Sequence, residues 1–235
     1  MSWGQVVTYK STYIGLIKEK FYALTNCFFT ATISNLKISF HIRNAAAITA
    51  EAAAQPRPGC LTQCGNLTVP FPFAMEVGCY KDDKFFINCS GSTNPPTAYL
   101  MKGNLPVTNI YLEEAELQIQ LSAARDCYDK QGVPTNDSVG FRLSLSNYTI
   151  SSTKNKFIAI GCDTYALFTG YCADDEERFI TGCMSLCDSL NSAEKDSCSG
   201  IGCCQTSIPS GLKNQTLKLS SYYNHTLITG FNPCS

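Results

Sequence analysis

CLTQCGNLTVPFPFAMEVGCYKDDKFFINC, residues 60–89, decides how this chain is read. Thirty residues hold Cys60, Cys64, Cys79 and Cys89, a Cys64-Gly65-Asn66 turn signal and the run Val69-Pro70-Phe71-Pro72-Phe73. Proline fixes φ and removes a backbone donor, so Pro70 and Pro72 favour extended backbone over helix. Phe85-Phe86-Ile87 reads as a short strand ending at Cys89. The stretch has the makings of a stapled platform and holds no nucleophile–base pair.

The cysteine signal continues beyond it. Of 14 cysteines, 13 lie between Cys60 and Cys234, and only Cys27 precedes them. Such density belongs to an oxidising compartment, where bridges replace stabilisation that a small core does not supply. Asn-X-Ser/Thr acceptors at Asn66, Asn88, Asn136, Asn147, Asn214 and Asn224 agree with secretion. Chance placement of this chain's Asn, Ser and Thr gives about 2.7 such sites. Asn88 is the weakest acceptor because its middle residue is Cys89.

Overall charge is near balance, with 18 basic and 19 acidic residues, which gives no support to nucleic-acid binding. The balance conceals an asymmetry. Residues 1–59 carry six Lys/Arg against Glu19 and Glu51, whereas residues 60–235 carry twelve basic and seventeen acidic residues. Residues 1–54 read as an atypical, weakly ordered leader or a poor signal segment. The uncharged stretch 21–36 is diluted by Thr, Asn and Ser, and no run of 18 apolar residues exists to span a membrane.

Residues 55–59, Gln-Pro-Arg-Pro-Gly, form a hinge into the first module, expected over 55–152. There, Leu117, Ile119 and Leu121 alternate with Gln118 and Gln120, and Phe141, Leu143 and Leu145 with Arg142 and Ser144. Period-2 patterning of this kind predicts half-buried antiparallel strands, with a turn at 132–137. Tyr148 and Ile150 extend the pattern, and residues 157–160 form a shorter apolar strand. The second module, 153–235, reads as loop-rich and cysteine-stapled, with a short helix near 184–194 and a late strand at 217–219. The expected fold class is mainly β and disulfide-rich, with at most one or two short helices.

Catalytic chemistry is poorly supplied. His41 and His225 are the only imidazoles, and no G-x-S-x-G or H-E-x-x-H motif occurs. Asp174, Asp175, Glu176 and Glu177 are consecutive and point in divergent directions, so they read as a solvated loop; Glu113, Glu114 and Glu116 are read the same way. Pairs such as Cys183-x3-Cys187 resemble zinc spacings, but thiolate zinc sites belong mostly to reducing compartments. Disulfides are therefore expected at Cys60, Cys64, Cys79, Cys89, Cys127, Cys162, Cys172, Cys183, Cys187, Cys198, Cys203 and Cys204, with pairing left open. Thirteen is odd, so one cysteine of residues 60–235 lacks a partner there, Cys234 first among the candidates.

Taken in order, Cys60-x3-Cys64-Gly65-Asn66, Pro70-Phe71-Pro72-Phe73, Gly78-Cys79 and Phe86-Ile87-Asn88-Cys89 resemble the galacturonan-binding module of plant wall-associated receptor kinases. Gly161-Cys162, Gly182-Cys183-x3-Cys187, Gly202-Cys203-Cys204-Gln205 and Phe231-Asn232-Pro233-Cys234 resemble the cysteine-rich segment that follows it in those receptors. The EGF-like repeats, membrane helix and kinase domain of the full receptors have no counterpart in this sequence, which reads as a short secreted relative or a truncated receptor. The resemblance implies an extracellular, non-catalytic ectodomain that contacts an acidic cell-wall polysaccharide, pectin, with no cofactor unless calcium bridges protein and polymer. A secreted module recognising a peptide or another receptor is the alternative.

Galacturonan is a polyanion, so an acidic module needs a local basic patch or a bridging cation to hold it. Lys81 and Lys84, with Tyr80 beside them, are the foremost candidates, followed by Lys102, Arg125 and Arg142. Asn66, Asn136, Asn147, Asn214 and Asn224 are the expected glycan acceptors.

Overall fold

The structure is a computed structural model that describes residues 5–9, 34–40, 58–136, 140–145, 147–172, 178–194 and 196–228. In chain order the strands are β1 (Gln5–Tyr9), β2 (Ser34–Phe40), β3 (Gln63–Cys64), β4 (Leu67–Thr68), β5 (Ile87–Ser90), β6 (Thr97–Leu100), β7 (Val107–Tyr111) and β8 (Glu116–Leu121). They continue as β9 (Phe141–Ser144), β10 (Tyr148–Ile150), β11 (Lys156–Ile160), β12 (Asp163–Cys172), β13 (Arg178–Leu186), β14 (Cys203–Ser207) and β15 (Leu212–Ser220). Two single-turn 3-10 helices, Asp83–Phe85 and Leu190–Ser192, are the only helical elements among the described residues. The protein is mainly β and disulfide-rich.

The chain divides into two compact units, Asn35–Leu121 and a second made of Ser122–Ser235 with Met1–Ser34. That division falls ahead of the boundary near 152 that the change in sequence texture suggests. The reason is non-local pairing: Asn214, Gln215, Thr216 and Leu217 of β15 pair with Ser144, Leu143, Arg142 and Phe141 of β9. Residues 141–144 therefore belong to the later unit's sheet. Residues 1–54, read as a weakly ordered leader, contribute β1, antiparallel to β11 from Gln5↔Ile160 to Tyr9↔Lys156, and β2. Leu36, Ile38 and Phe40 alternate with Lys37 and Ser39, the period of a strand.

In the unit Asn35–Leu121, β2, β8 and β7 are neighbours in one sheet, and β3–β4 and β5–β6 are small antiparallel pairs. Leu117, Ile119 and Leu121 are buried as the alternation requires, with Gln118 and Gln120 less so. Glu116, read as solvated, is buried at the start of β8. The β3–β4 hairpin turns at Gly65, whose φ is +54° and where a Cβ would collide with the Pro96 carbonyl oxygen. Only glycine satisfies both conditions. Cys60–Cys79 and Cys64–Cys89 staple this segment.

The run at 69–73 turns rather than staying extended. The Phe71–Pro72 peptide is cis, and the Phe73 N–H donates to the Pro70 carbonyl at 2.9 Å. Phe73 lies edge-on to Phe85, ring centroids 5.0 Å apart, both buried. Each such burial contributes roughly 1.5–3 kcal/mol.

The unit Ser122–Ser235 is sheet-rich where loops are the expectation. β13, β12, β15 and β9 form a four-stranded sheet in that order, and β1, β11 and β14 a second. Long strands escape notice here because cysteines and polar residues interrupt the apolar pattern on which a strand reading depends. β13 runs through Leu186, so only Leu190–Ser192 of the expected helix region is helical. Phe157, Ala166, Phe168, Leu143 and Leu212 fill the core, with Phe157 and Phe168 5.5 Å apart. Cys162–Cys187, Cys183–Cys204 and Cys198–Cys203 are bridged, and Cys127 is also disulfide-bonded. The side chain of Cys172, and Cys27 and Cys234, lie outside the described residues.

Candidate functional site

In the unit Asn35–Leu121 the candidate side chains sit on the loop between the Cys60–Cys79 staple and β5. Lys81 N–H donates to the Pro72 carbonyl at 3.0 Å, which ties this loop to the proline turn. Asp82 then caps the 3-10 helix Asp83–Phe85, its carboxylate accepting from the Lys84 N–H at 3.1 Å. That cap explains why Phe85 ends a helical turn instead of beginning a strand: Ser, Thr, Asp and Asn side chains satisfy donors that a helix start leaves open.

The geometry alters the charge picture. Lys84 Nζ lies 3.1 Å from Asp82 Oδ2 and 5.0 Å from the Phe85 ring centroid, so its charge is already partnered. Lys81 is exposed, as are Asp82 and Asp83, and residues 81–84 carry two positive and two negative charges. The local basic patch that the lysine spacing suggests is thus neutral in sum. Tyr80 is half-buried with its ring against Phe86, centroids 5.6 Å apart.

One further cation comes to this loop through the fold. The Met101 N–H donates to the Phe86 carbonyl at 2.9 Å, which brings exposed Lys102 to the neighbourhood of Phe86. Tyr80, Lys81, Lys84 and Phe86 share this loop, and Lys102 directly follows the residue bonded to Phe86. Phe86, half-exposed beside Tyr80, joins this surface although sequence alone groups it with core phenylalanines. Arg125 and Arg142 are not members of this unit. Arg125 is half-buried and Arg142 exposed on β9, both in the unit Ser122–Ser235. Asn66, Asn136, Asn147 and Asn214 are exposed, as is Asn88; Asn224 is half-buried and donates through Nδ2 to the Gly132 carbonyl at 2.9 Å.

In the unit Ser122–Ser235 the most elaborate polar cluster is structural. Asp163, buried, accepts the backbone N–H groups of Tyr222, Tyr223 and His225 at 2.9, 2.9 and 3.1 Å. His225 is fully buried, with Nδ1 4.0 Å from Asp163 Oδ2 and Nε2 3.4 Å from the Asp126 carbonyl. Burial holds its imidazole below the ordinary value, with Asp163 opposing. Burial likewise raises the Asp126 carboxyl, whose Oδ2 accepts from the Tyr128 hydroxyl at 3.0 Å. Carboxylate and imidazole pin a turn here.

Residues 60–121 match the family described as wall-associated receptor kinase galacturonan-binding. Over 183 residues the chain is 39% identical to wall-associated receptor kinase 2 of Arabidopsis thaliana, covering 77% of this chain and 23% of that one. It is 33% identical to wall-associated receptor kinase 5 of Arabidopsis thaliana over 193 residues, 80% of this chain and 25% of the relative. The chain thus spans about a quarter of the length of these relatives. No solved structure matches. No helix among the described residues is long and apolar enough to cross a membrane.

Proposed function

From a chain that carries a wall-associated receptor kinase galacturonan-binding module at residues 60–121 and resembles those receptors over most of its length, we propose a non-catalytic, extracellular, receptor-ectodomain-type binding protein of the plant cell wall. Its ligand is demethylated galacturonan. The coincidence of the family match with the doubly stapled unit that presents Tyr80, Lys81, Phe86 and Lys102 supports the reading. Lys81 and Lys102 supply the attraction, since Lys84 is engaged by Asp82. With Asp82 and Asp83 nearby, calcium bridging between these carboxylates and the polymer is the second route to affinity.

The test uses the full chain made in an oxidising secretory host. Demethylated and methyl-esterified oligogalacturonides are titrated at several salt concentrations, with calcium or with a chelator. Saturable binding of the demethylated polymer, weakened by salt, is expected. Lys81→Glu with Lys102→Glu should weaken it about tenfold, or ~1.4 kcal/mol. Absence of binding at low salt under both calcium conditions overturns the reading.

A further inference from the structure

The solvent face of the sheet β13–β12–β15–β9 differs chemically from the unit that carries it. Residues 122–235 include nine Lys/Arg and eleven Asp/Glu. Yet the four strands contain three cations at exposed positions, Arg142, Arg178 and Lys218, and a single acid, Asp163. That acid is buried beneath the Tyr222–His225 turn and accepts three backbone N–H groups. The face therefore offers positive charge and no available carboxylate of its own. None of the three cations forms an ion pair among the described residues.

Register assembles this face from residues far apart in the sequence. Lys218 lies opposite Leu167, Arg142 opposite Thr216, and Arg178 opposite Tyr171. Directly paired residues project to the same side of a sheet, and the intervening Ala166, Phe168, Leu217 and Leu143 are buried, so these cations share the solvent side. Tyr165 shares it too, its ring packed against that of exposed Tyr222, 4.8 Å between centroids and tilted by 47°. From Tyr165 to Tyr171 the face extends about 20 Å, and across four strands about 14 Å.

We propose that this face is a second binding surface, for an acidic polysaccharide chain. Arg142 and Lys218 receive carboxylates, Arg142 through the planar fork that binds them bidentately. Tyr165 and Tyr222 offer ring faces to the C–H faces of sugars, and Thr169 and Thr216 offer hydroxyls between them. Charge complementarity selects the polyanion. Exposed Leu167, Tyr171, Ile180 and Met184 make the β12–β13 half of this face apolar, so the polymer is placed on the β15–β9 half, where Arg142, Ser144, Thr216 and Lys218 are polar or charged. Asp174, Asp175, Glu176 and Glu177 join β12 to β13 in the sequence, so the decisive cations are those of β9 and β15.

The proposal shares its ligand class with the proposed function and places the contact on other residues, so the two are tested separately in the full chain. Asn214 lies on the same face, so the protein is measured both as secreted and after endoglycosidase treatment, and binding through this face only after treatment overturns the inference. Demethylated oligogalacturonides are titrated against wild type, Arg142→Glu/Lys218→Glu, Lys81→Glu/Lys102→Glu and Lys218→Arg, with thermal unfolding as the folding control. The expected result is about tenfold weaker binding and a shallower salt dependence for Arg142→Glu/Lys218→Glu at unchanged unfolding temperature, with Lys218→Arg near wild type. Should that double variant unfold early, Arg142→Gln and Lys218→Gln, measured singly, take its place. Loss only in Lys81→Glu/Lys102→Glu overturns this inference and leaves the proposed function standing. Loss only in Arg142→Glu/Lys218→Glu supports it and removes the site at 80–102. No binding by wild type, or binding of a protein ligand through this face with polymer affinity unchanged in the variant, overturns it.

Discussion

The two units solve the same problem differently. Asn35–Leu121 is built from two-to-seven-residue strands and holds its candidate surface on a loop between two disulfide staples. Ser122–Ser235 uses nine- and ten-residue strands, and its exposed face is composed by register. The residues proposed for binding in the first are, Lys102 apart, neighbours in sequence, and Asp82 and Asp83 offset their charge. In the second they come from strands more than seventy positions apart, and the one acid among them is buried. A loop displays the charge of its local sequence, whereas a sheet face separates alternate residues and thereby concentrates one sign of charge.

The contrast breaks most sharply if the two units prove equally dependent on staples and on polar clusters. Asp163→Ala leaves three N–H groups of the 222–225 turn without their acceptor and His225 without its carboxylate. A destabilisation of about 3–5 kcal/mol is expected. Hydrogen exchange should show the loss of protection in residues 122–228 while residues 58–121 stay protected. Removing Cys64–Cys89 by double alanine substitution should cost about 3 kcal/mol and reverse that pattern. Equal loss of protection in both units after either change would show that they do not behave as separate cooperative bodies.

Smaller effects sharpen the picture. Gln215 is buried on the inner side of β15, and neither amide atom is hydrogen-bonded among the described residues. Gln215→Leu should stabilise the chain by about 1–2 kcal/mol in urea unfolding, while Gln215→Glu should do the opposite. Asp82→Ala removes the 3-10 cap and frees Lys84, so about 1 kcal/mol of stability is lost and galacturonan affinity rises.

His225 provides the pH prediction. Its folded value lies below its ordinary 6.5, so the unfolded chain takes up a proton first as pH falls. Stability attributable to this group is present above 6.5 and declines as pH drops toward the lowered folded value. Asp163, Asp126 and Tyr128 face the ring, and Asp126, raised by burial, acts in the opposite sense at lower pH. Urea unfolding between pH 7.5 and about 5.5 should fall for wild type and flatten for His225→Gln; a wild-type curve that rises on acidification would refute the assignment.

Much of this was legible without coordinates. The alternation of Leu117, Ile119 and Leu121, and of Leu143 with Arg142 and Ser144, matches the buried and exposed positions found. The cysteines announced bridges, and the 60–89 spacing pointed to the family later matched at 60–121. The long strands β12 and β13 are not legible in the sequence because their cysteines, glycines and exposed apolar residues blur a period of two. Local capping by Asp82 also overrode the strand signal of Phe85-Phe86.

The sequence by itself determined β class, the cysteine inventory and the family likeness of residues 60–121, because these depend on composition and short-range spacing. Tertiary structure decided which cysteines pair, where one unit gives way to the other and which charges remain available. Those outcomes depend on register and burial between distant segments: Asp82 occupies Lys84, Met101 delivers Lys102 to Phe86, and a turn at 222–225 takes Asp163 away from the sheet face where Arg142 and Lys218 are displayed.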